Sequence, residues 1–428
     1  MIWLLFVSML GAMMLGVPIL LAIAMVGYVG ITATPDLVLP LFAQKMFAQL
    51  NSFTLLALPY FILAGALFSA SGMSEQLVKF SRVLVGHFRA GLAHASVVSS
   101  MVFAGVSGSS TADASAIAAI VVPTMKNEGY KAGFAASLIA TAGTIGAIIP
   151  PSMIMVVYGS IAQVSIGGLF LGGILPGLLV GLSIMLTIKI FSYLPNYPEL
   201  RVVHGKFNWP ALASSLREVW PALMGPFIIV GGILSGMFTA TEAGAVACLY
   251  ALVLGVLTRK INWRNLPGIF IESAVMTTMV SGVIAVAGVA GWLLGYLEFN
   301  EGVLKFTTSF SKNPTTILLI LAAVMVVLGT FVDSLAVLLV LAPAAIEISK
   351  VYGIDPFQMG LVMVMCNQIG SVTPPTAPLL FITSSIAKAS YSEVNRHVWW
   401  FILAEVSVML TVIYFPGVAS WIPHYYGF

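Results

Sequence analysis

Charge is scarce in this chain. Only 8% of its 428 residues are Asp, Glu, Lys or Arg, against about 25% in a soluble domain. From Ala132 to Ile188 there are none. Long polar stretches are lacking too. The longest, Pro195 to Arg217, reads as a loop, so no soluble domain is expected. Cysteine is nearly absent: Cys248 and Cys366 stand alone in apolar surroundings, which offers neither a disulfide framework nor a thiolate metal site. The N-terminus, MIWLLFVSML, has no basic region ahead of its apolar run. It reads as a first membrane segment rather than a cleaved leader. The alternating apolar segments of an outer-membrane barrel are missing as well. A net charge of +3 singles out no class of partner.

What is present is apolar: 60% of the residues are hydrophobic. A membrane helix needs about 20 such residues. Met1–Thr32, Phe53–Ala70, Gly168–Leu194, Leu223–Phe238, Glu242–Leu257, Leu266–Leu297 and His397–Ile422 supply candidate spans. Leu37–Leu50, with Gln44, Lys45 and Gln49, reads as interfacial or re-entrant, and Met73–Arg89 as an amphipathic surface helix. The five histidines lie near segment ends or loops, and most are expected to face solvent or headgroups. Glu242, following Thr239-Ala240-Thr241, is expected to cap a span.

Four segments are interrupted. Lys131–Val164 contains Gly146-Ala147-Ile148-Ile149-Pro150-Pro151-Ser152, and Asp355–Lys388 contains Gly370-Ser371-Val372-Thr373-Pro374-Pro375-Thr376. A double proline removes backbone donors and clashes with the preceding turn. In lipid the freed carbonyls are tolerated only where protein or a polar cavity covers them. Ala95–Met125 is interrupted by Gly105-Val106-Ser107-Gly108-Ser109-Ser110-Thr111-Ala112-Asp113, and Pro314–Ile348 by Gly329 to Ser334. Both read as re-entrant hairpins with these stretches at their tips.

Basic residues favour the cytoplasmic side. Lys79–Arg89, Lys126, Lys131, Lys189–Arg217 and Arg259–Arg264 can share that side only if 95–125 enters and leaves on one face. The same count puts Lys312 and Lys350 outside, so the second hairpin opens the opposite way. An internal match agrees. Glu75–Phe80 aligns with Glu301–Phe306, and Asp113 and Asp333 each precede a proline by ten residues. The two Pro-Pro breaks align, and Ser160–Gln163 echoes Ser385–Lys388. The expected fold is an all-α polytopic membrane protein with an inverted repeat. Its divisions would be N-terminal scaffold spans (1–94), a first hairpin and broken helix (95–194), a cytoplasmic loop with central scaffold spans (195–313), and a second hairpin and broken helix with the last span (314–428).

Each half thus offers a hairpin tip beside a helix break. Hydroxyls and unwound carbonyls can replace the water of a cation without burying a full countercharge. Ser107, Ser110, Gly146, Ile149 and Pro151 form one candidate shell. Gly329, Asp333, Gly370, Thr373 and Thr376 form the second. Sodium is the expected ion, since neutral oxygen cages suit a hard monovalent cation. Small hydroxylic residues also pack membrane helices, and it is their pairing beside the two breaks that favours binding. Asp113 and Asp333 are costly in an apolar segment, and two roles stay open for them, ligand contact or helix capping. An organic anion would sit between the tips, held by hydroxyls, amides and helix ends.

The motifs around 105–113, 146–152 and 370–376 resemble the large membrane subunit of a tripartite ATP-independent periplasmic (TRAP) transporter, over essentially the whole chain. The resemblance implies an elevator-type, sodium-driven importer of organic acids in a bacterial inner membrane. It implies at least two sodium sites, near Ser107, Ser110, Gly146, Ile149 and Pro151 and near Gly329, Gly370, Thr373 and Thr376. Substrate contacts would fall near Ser107, Ser109, Asp113 and Asp333. It also implies two partners, a small four-helix membrane subunit, here a separate polypeptide, and a periplasmic substrate-binding protein. C4-dicarboxylates, sialic acid and other sugar acids are the substrates such a family offers.

Two other classes were weighed. Gly105-Val106-Ser107-Gly108 fits the short motif of rhomboid-type serine proteases, but that chemistry needs a histidine within reach of the serine, and no downstream histidine lies mid-span. Asp113 and Asp333 lack the Gly-x-Gly-Asp context of an intramembrane aspartyl protease. A passive channel would not require two paired cation shells.

Overall fold

The computed structural model describes residues 5, 7–9, 11–12, 15–201, 203, 207–298, 302, 311–331 and 334–428. Among them there is no sheet, only one antiparallel bridge between Arg89 and Val203. Among the described residues six helices are long and apolar enough to cross a membrane: Phe53–Ala70, Ile166–Phe191, Trp209–Leu234, Ala240–Leu257, Leu266–Tyr296 and Tyr391–Tyr414. The chain is an all-helical, multi-pass membrane protein.

The N-terminal run does not form one continuous helix. Gly16 adopts φ +83° and Pro18 starts a new helix, α1 (Ile19–Ala33). The left-handed glycine and the missing proline N–H divide a stretch that is uniformly apolar in sequence. α2 (Pro40–Leu50) has no buried residue and packs against the later α12. α3 (Ala57–Ala70) follows, and then α4 (Met73–Val85), whose Lys79 and Arg82 pair with Glu218 and Glu128.

The first hairpin is α5 (Gly91–Ser107) and α6 (Ser110–Asn127), joined by two residues. The first broken segment is α7 (Ala132–Thr144), a 3-10 turn (Ile145–Ala147), and α8 (Met153–Ala162). α9 (Ile166–Phe191) crosses behind it. α10 (Trp209–Leu234), α11 (Ala240–Leu257) and α12 (Leu266–Tyr296) follow. α10 begins inside the stretch expected to be loop. Asn208 caps it by accepting from Ala211 N–H, and Pro210 presets its first turn. The polar composition of the segment masks these local signals.

The second half consists of α13 (Pro314–Gly329), α14 (Ser334–Tyr352), α15 (Pro356–Val372) and α16 (Pro378–Ala387). It closes with α17 (Tyr391–Tyr414) and α18 (Gly417–Tyr425). Glu301 and 303–306, the second copy of the Glu75–Phe80 match, lie outside the described residues apart from Gly302.

Burial divides these helices. Every residue from Gly133 to Thr144 and from Phe357 to Val372 is buried. α7 and α15 therefore form the centre of a bundle with α5, α6, α16 and α17. By contrast α12 is buried chiefly between Ile284 and Leu294, and its first half exposes Phe270, Ile271, Val275 and Met279. α11 packs on α3 and α10, and α12 packs on α3.

Two expectations for single residues separate here. Thr239 and Glu242 form a reciprocal capping box on α11, as expected. The histidines differ: His94 and His397 are buried, His397 bonded through Nδ1 to Tyr197 Oη at 2.9 Å. Each lies within two turns of its helix's start, His94 against the Phe88 ring and His397 against those of Phe134 and Tyr197. His424 is exposed and lies 3.1 Å from Asp355.

Candidate functional site

The first hairpin turns on Gly108, whose φ of +66° ends α5. Ser109 is extended, and its side chain caps α6 by accepting from Ala112 N–H. The tip rests on the first break. Gly108 C=O accepts from Met153 N–H at 3.3 Å, and a Cβ at Gly108 would come within 2.6 Å of Pro151 O. Only glycine satisfies both the positive φ and this approach.

Within the break, Ile148 and Ile149 N–H both donate to Ile145 O at 2.9 Å. Ser152 Oγ donates to Ala147 O at 2.6 Å and accepts from Met155 N–H, which restarts the helix as α8. From behind, Gly173 and Gly177 of α9 admit Ile148 O and the Ile149 side chain, where any Cβ would collide. The bond between Pro150 and Pro151 is cis, as is that between Pro374 and Pro375.

The structure gathers Ser107, Ser110, Asp113 and Gly146 around this break. Ser107 Oγ donates to Asp113 Oδ1 and accepts from Ser109 N–H at 3.2 Å. Asp113 is fully buried, and its Oδ2 makes no hydrogen bond within the protein. It lies where a Cβ of Gly146 would be. The capping role open to Asp113 is taken by Ser109. Ser110 Oγ donates to Gln368 Oε1 at 2.5 Å.

The second tip meets its break in a related way. Gly329 ends α13, and a Cβ at Gly370 would sit 3.1 Å from Gly329 Cα, so two backbones touch there. Thr330 C=O accepts from both Thr376 N–H at 3.1 Å and Thr376 Oγ1 at 2.7 Å. Thr373 Oγ1 donates to Ile369 O at 2.6 Å. Asp333 lies outside the described residues.

A cavity of about 280 Å3 opens beside the first tip. Ser107, Ser109, Ala112 and Met153 line one wall, Gly65 and Ser69 of α3 another, and Glu272 and Ser273 of α12 a third. Gly65 lets α3 pass against the Ser107 carbonyl: a Cβ there would lie 2.8 Å from that oxygen.

Three polar residues escaped the sequence reading. Gln368 joins Ser110 to α15, and its Nε2 donates to Asn367 Oδ1 at 2.9 Å. Glu405 of α17 is buried and bonds Thr144 Oγ1, one residue before the first 3-10 turn. A carboxyl in the middle of an apolar span was the available signal for Glu405. The Asn367-Gln368 pair just ahead of Gly370 was the signal for the others.

Residues 2–418 match the sequence model of the family described as tripartite ATP-independent periplasmic transporter, DctM component. The chain belongs to this family. It is a TRAP large permease, a transporter component and not an enzyme, and Ser107 is bonded to Asp113 rather than to a histidine. The permease is 35% identical to the C4-dicarboxylate TRAP transporter large permease protein DctM of Pseudomonas aeruginosa, covering 92% of this chain and 91% of the relative. It is 33% identical to the sialic acid TRAP transporter large permease protein SiaM of Vibrio cholerae, covering 97% and 96%. It is also 33% identical to the 2,3-diketo-L-gulonate TRAP transporter large permease protein YiaN of Escherichia coli, covering 95% of each. Among solved structures, MtrF of Neisseria gonorrhoeae shares the fold at a TM-score of 0.50 and 11% identity, covering 86% of this chain and 82% of that one.

Proposed function

We propose that this permease takes up a small organic acid, coupled to sodium, across a bacterial inner membrane. The substrate class follows the relatives' names, which include C4-dicarboxylate, sialic acid and 2,3-diketo-L-gulonate. A small membrane subunit and a periplasmic binding protein complete the transporter.

One observation carries the sodium reading. A serine or threonine hydroxyl has one proton and two lone pairs. Ser107, Ser110, Thr373 and Thr376 each donate that proton to a protein acceptor: Asp113 Oδ1, Gln368 Oε1, Ile369 O and Thr330 O. Each keeps at least one lone pair for a cation, Ser107 having one already engaged by Ser109 N–H. Asp113 Oδ2, buried without a donor beside Gly146, fits the same demand. Carbonyls of Ile149 and Pro151 in one half and of Gly329 in the other are the backbone candidates to complete each shell. The organic anion would enter the cavity against Ser107 and Ser109, with sodium as its countercharge.

The inverted repeat belongs to the same proposal. α8 and α16 are both ten residues long and end in left-handed Gln163 and Lys388. Pro123 and Pro343 both lie within the returning hairpin helix. The buried bundle of 95–194 and 314–428 would move as a transport domain against scaffold helices from 1–94 and 195–313. Gly65 against the Ser107 carbonyl is then a sliding contact free of side-chain interlock.

Uptake into proteoliposomes containing the permease and its two partners tests the reading. An inward sodium gradient is expected to drive accumulation that requires the binding protein. Equal accumulation under a potassium gradient would contradict sodium coupling.

A further inference from the structure

We propose that Gln368 is a positioning residue for cation binding: it holds the Ser110 hydroxyl so that the lone pairs face the first shell. The inference rests on the sodium reading above and adds a residue that neither break motif contains.

The geometry is directional. Ser110 Oγ donates to Gln368 Oε1 at 2.5 Å, across 258 residues of sequence. Gln368 Nε2 donates to Asn367 Oδ1 at 2.9 Å. An amide has one accepting and one donating end. Because Asn367 takes the donating end, the accepting end is turned to Ser110. Gln368 is 2% exposed and Asn367 4%, so water does not compete for these groups. A serine at a helix start has several rotamers open to it, and a cation would repel the hydroxyl proton in any that pointed it inward. Taking that proton from outside the shell selects the one useful rotamer, as partners of metal ligands do elsewhere. Ser107 has the same arrangement with Asp113 on its own hairpin. For Ser110 the acceptor comes from the other half of the chain. It stands two residues before Gly370, which touches Gly329 of the second tip. The first shell is thereby complete only when α15 is docked against the first hairpin.

Sodium titrations of the purified full chain in lipid nanodiscs, followed by thermal stabilisation with choline as the balancing cation, test this. Gln368→Met keeps the volume and removes the acceptor, and is expected to weaken apparent sodium affinity about tenfold or more. Ser110→Ala should weaken it comparably, and the double variant no further than Ser110→Ala alone. Gln368→Glu retains an acceptor and should bind sodium at least as well as wild type. Melting without sodium reports folding for each variant, and if Gln368→Met does not fold, Gln368→Glu against Gln368→Ala makes the same comparison. Unchanged affinity in Gln368→Met, or multiplying effects in the double variant, would overturn the positioning role. A wild-type chain stabilised no more by sodium than by potassium would instead overturn the sodium reading itself, and would be recognised before any variant is made.

Discussion

The two helix breaks share a sequence pattern but not an environment. At the first, Ile148, Pro150, Pro151 and Ser152 are buried under α9 and the first hairpin, and the hydroxyls are oriented by a carboxyl and an amide side chain. At the second, Pro375 and Thr376 are exposed, and among the described residues Thr373 and Thr376 donate to main-chain carbonyls. A buried carboxylate in low dielectric attracts a cation far more strongly than neutral carbonyls near water. Among the described residues, the two breaks thus differ: the first is enclosed and carries a carboxyl, and the second is open and carries carbonyls. The first should bind sodium more tightly, and the second should load and release it more readily.

The largest expected effect is at Asp113. Asp113→Asn replaces the carboxyl with a neutral amide of the same shape, and should weaken sodium activation of uptake by about tenfold or more. A smaller effect would mean that the asymmetry does not rest on this carboxyl. Next come the paired glycines. Gly146→Ala collides with Asp113 Oδ2, whereas Gly370→Ala meets Gly329 Cα at 3.1 Å. Thermal unfolding should show the first variant destabilised by about 1–3 kcal/mol, the usual cost of overpacking, and the second by less. Ser107→Ala and Thr373→Ala should both weaken sodium dependence with expression intact, Ser107→Ala more. Thr376→Ala should have the smallest effect, since it removes one hydrogen bond at an exposed position, about 1 kcal/mol. If it exceeds Ser107→Ala in the uptake assay, the ranking of the half-sites is reversed.

Much of this was legible in the sequence because it is local. Ser107-Gly108-Ser109-Ser110 folds as a turn and a cap from its own residues, and Pro150-Pro151 interrupts a helix whatever surrounds it. The Thr239/Glu242 capping box is likewise a three-residue matter. The segment at Trp209 was local too, but its polar composition masked a helix start announced by Asn208 and Pro210. What was not legible is long-range. Gln368 finds Ser110, and Glu405 finds Thr144, across 258 and 261 residues. No periodicity or motif reports which buried polar groups will meet once helices pack. The burial of His397 is of the same kind, since Phe134 and Tyr197 pack on it from far along the chain.

The most direct test of unequal half-sites is sodium binding to the purified chain in lipid nanodiscs, measured for wild type and Asp113→Asn. The account predicts a tighter and a weaker class of sodium in wild type, with the tighter class lost in Asp113→Asn and the weaker one retained. A single class that survives the substitution would contradict it.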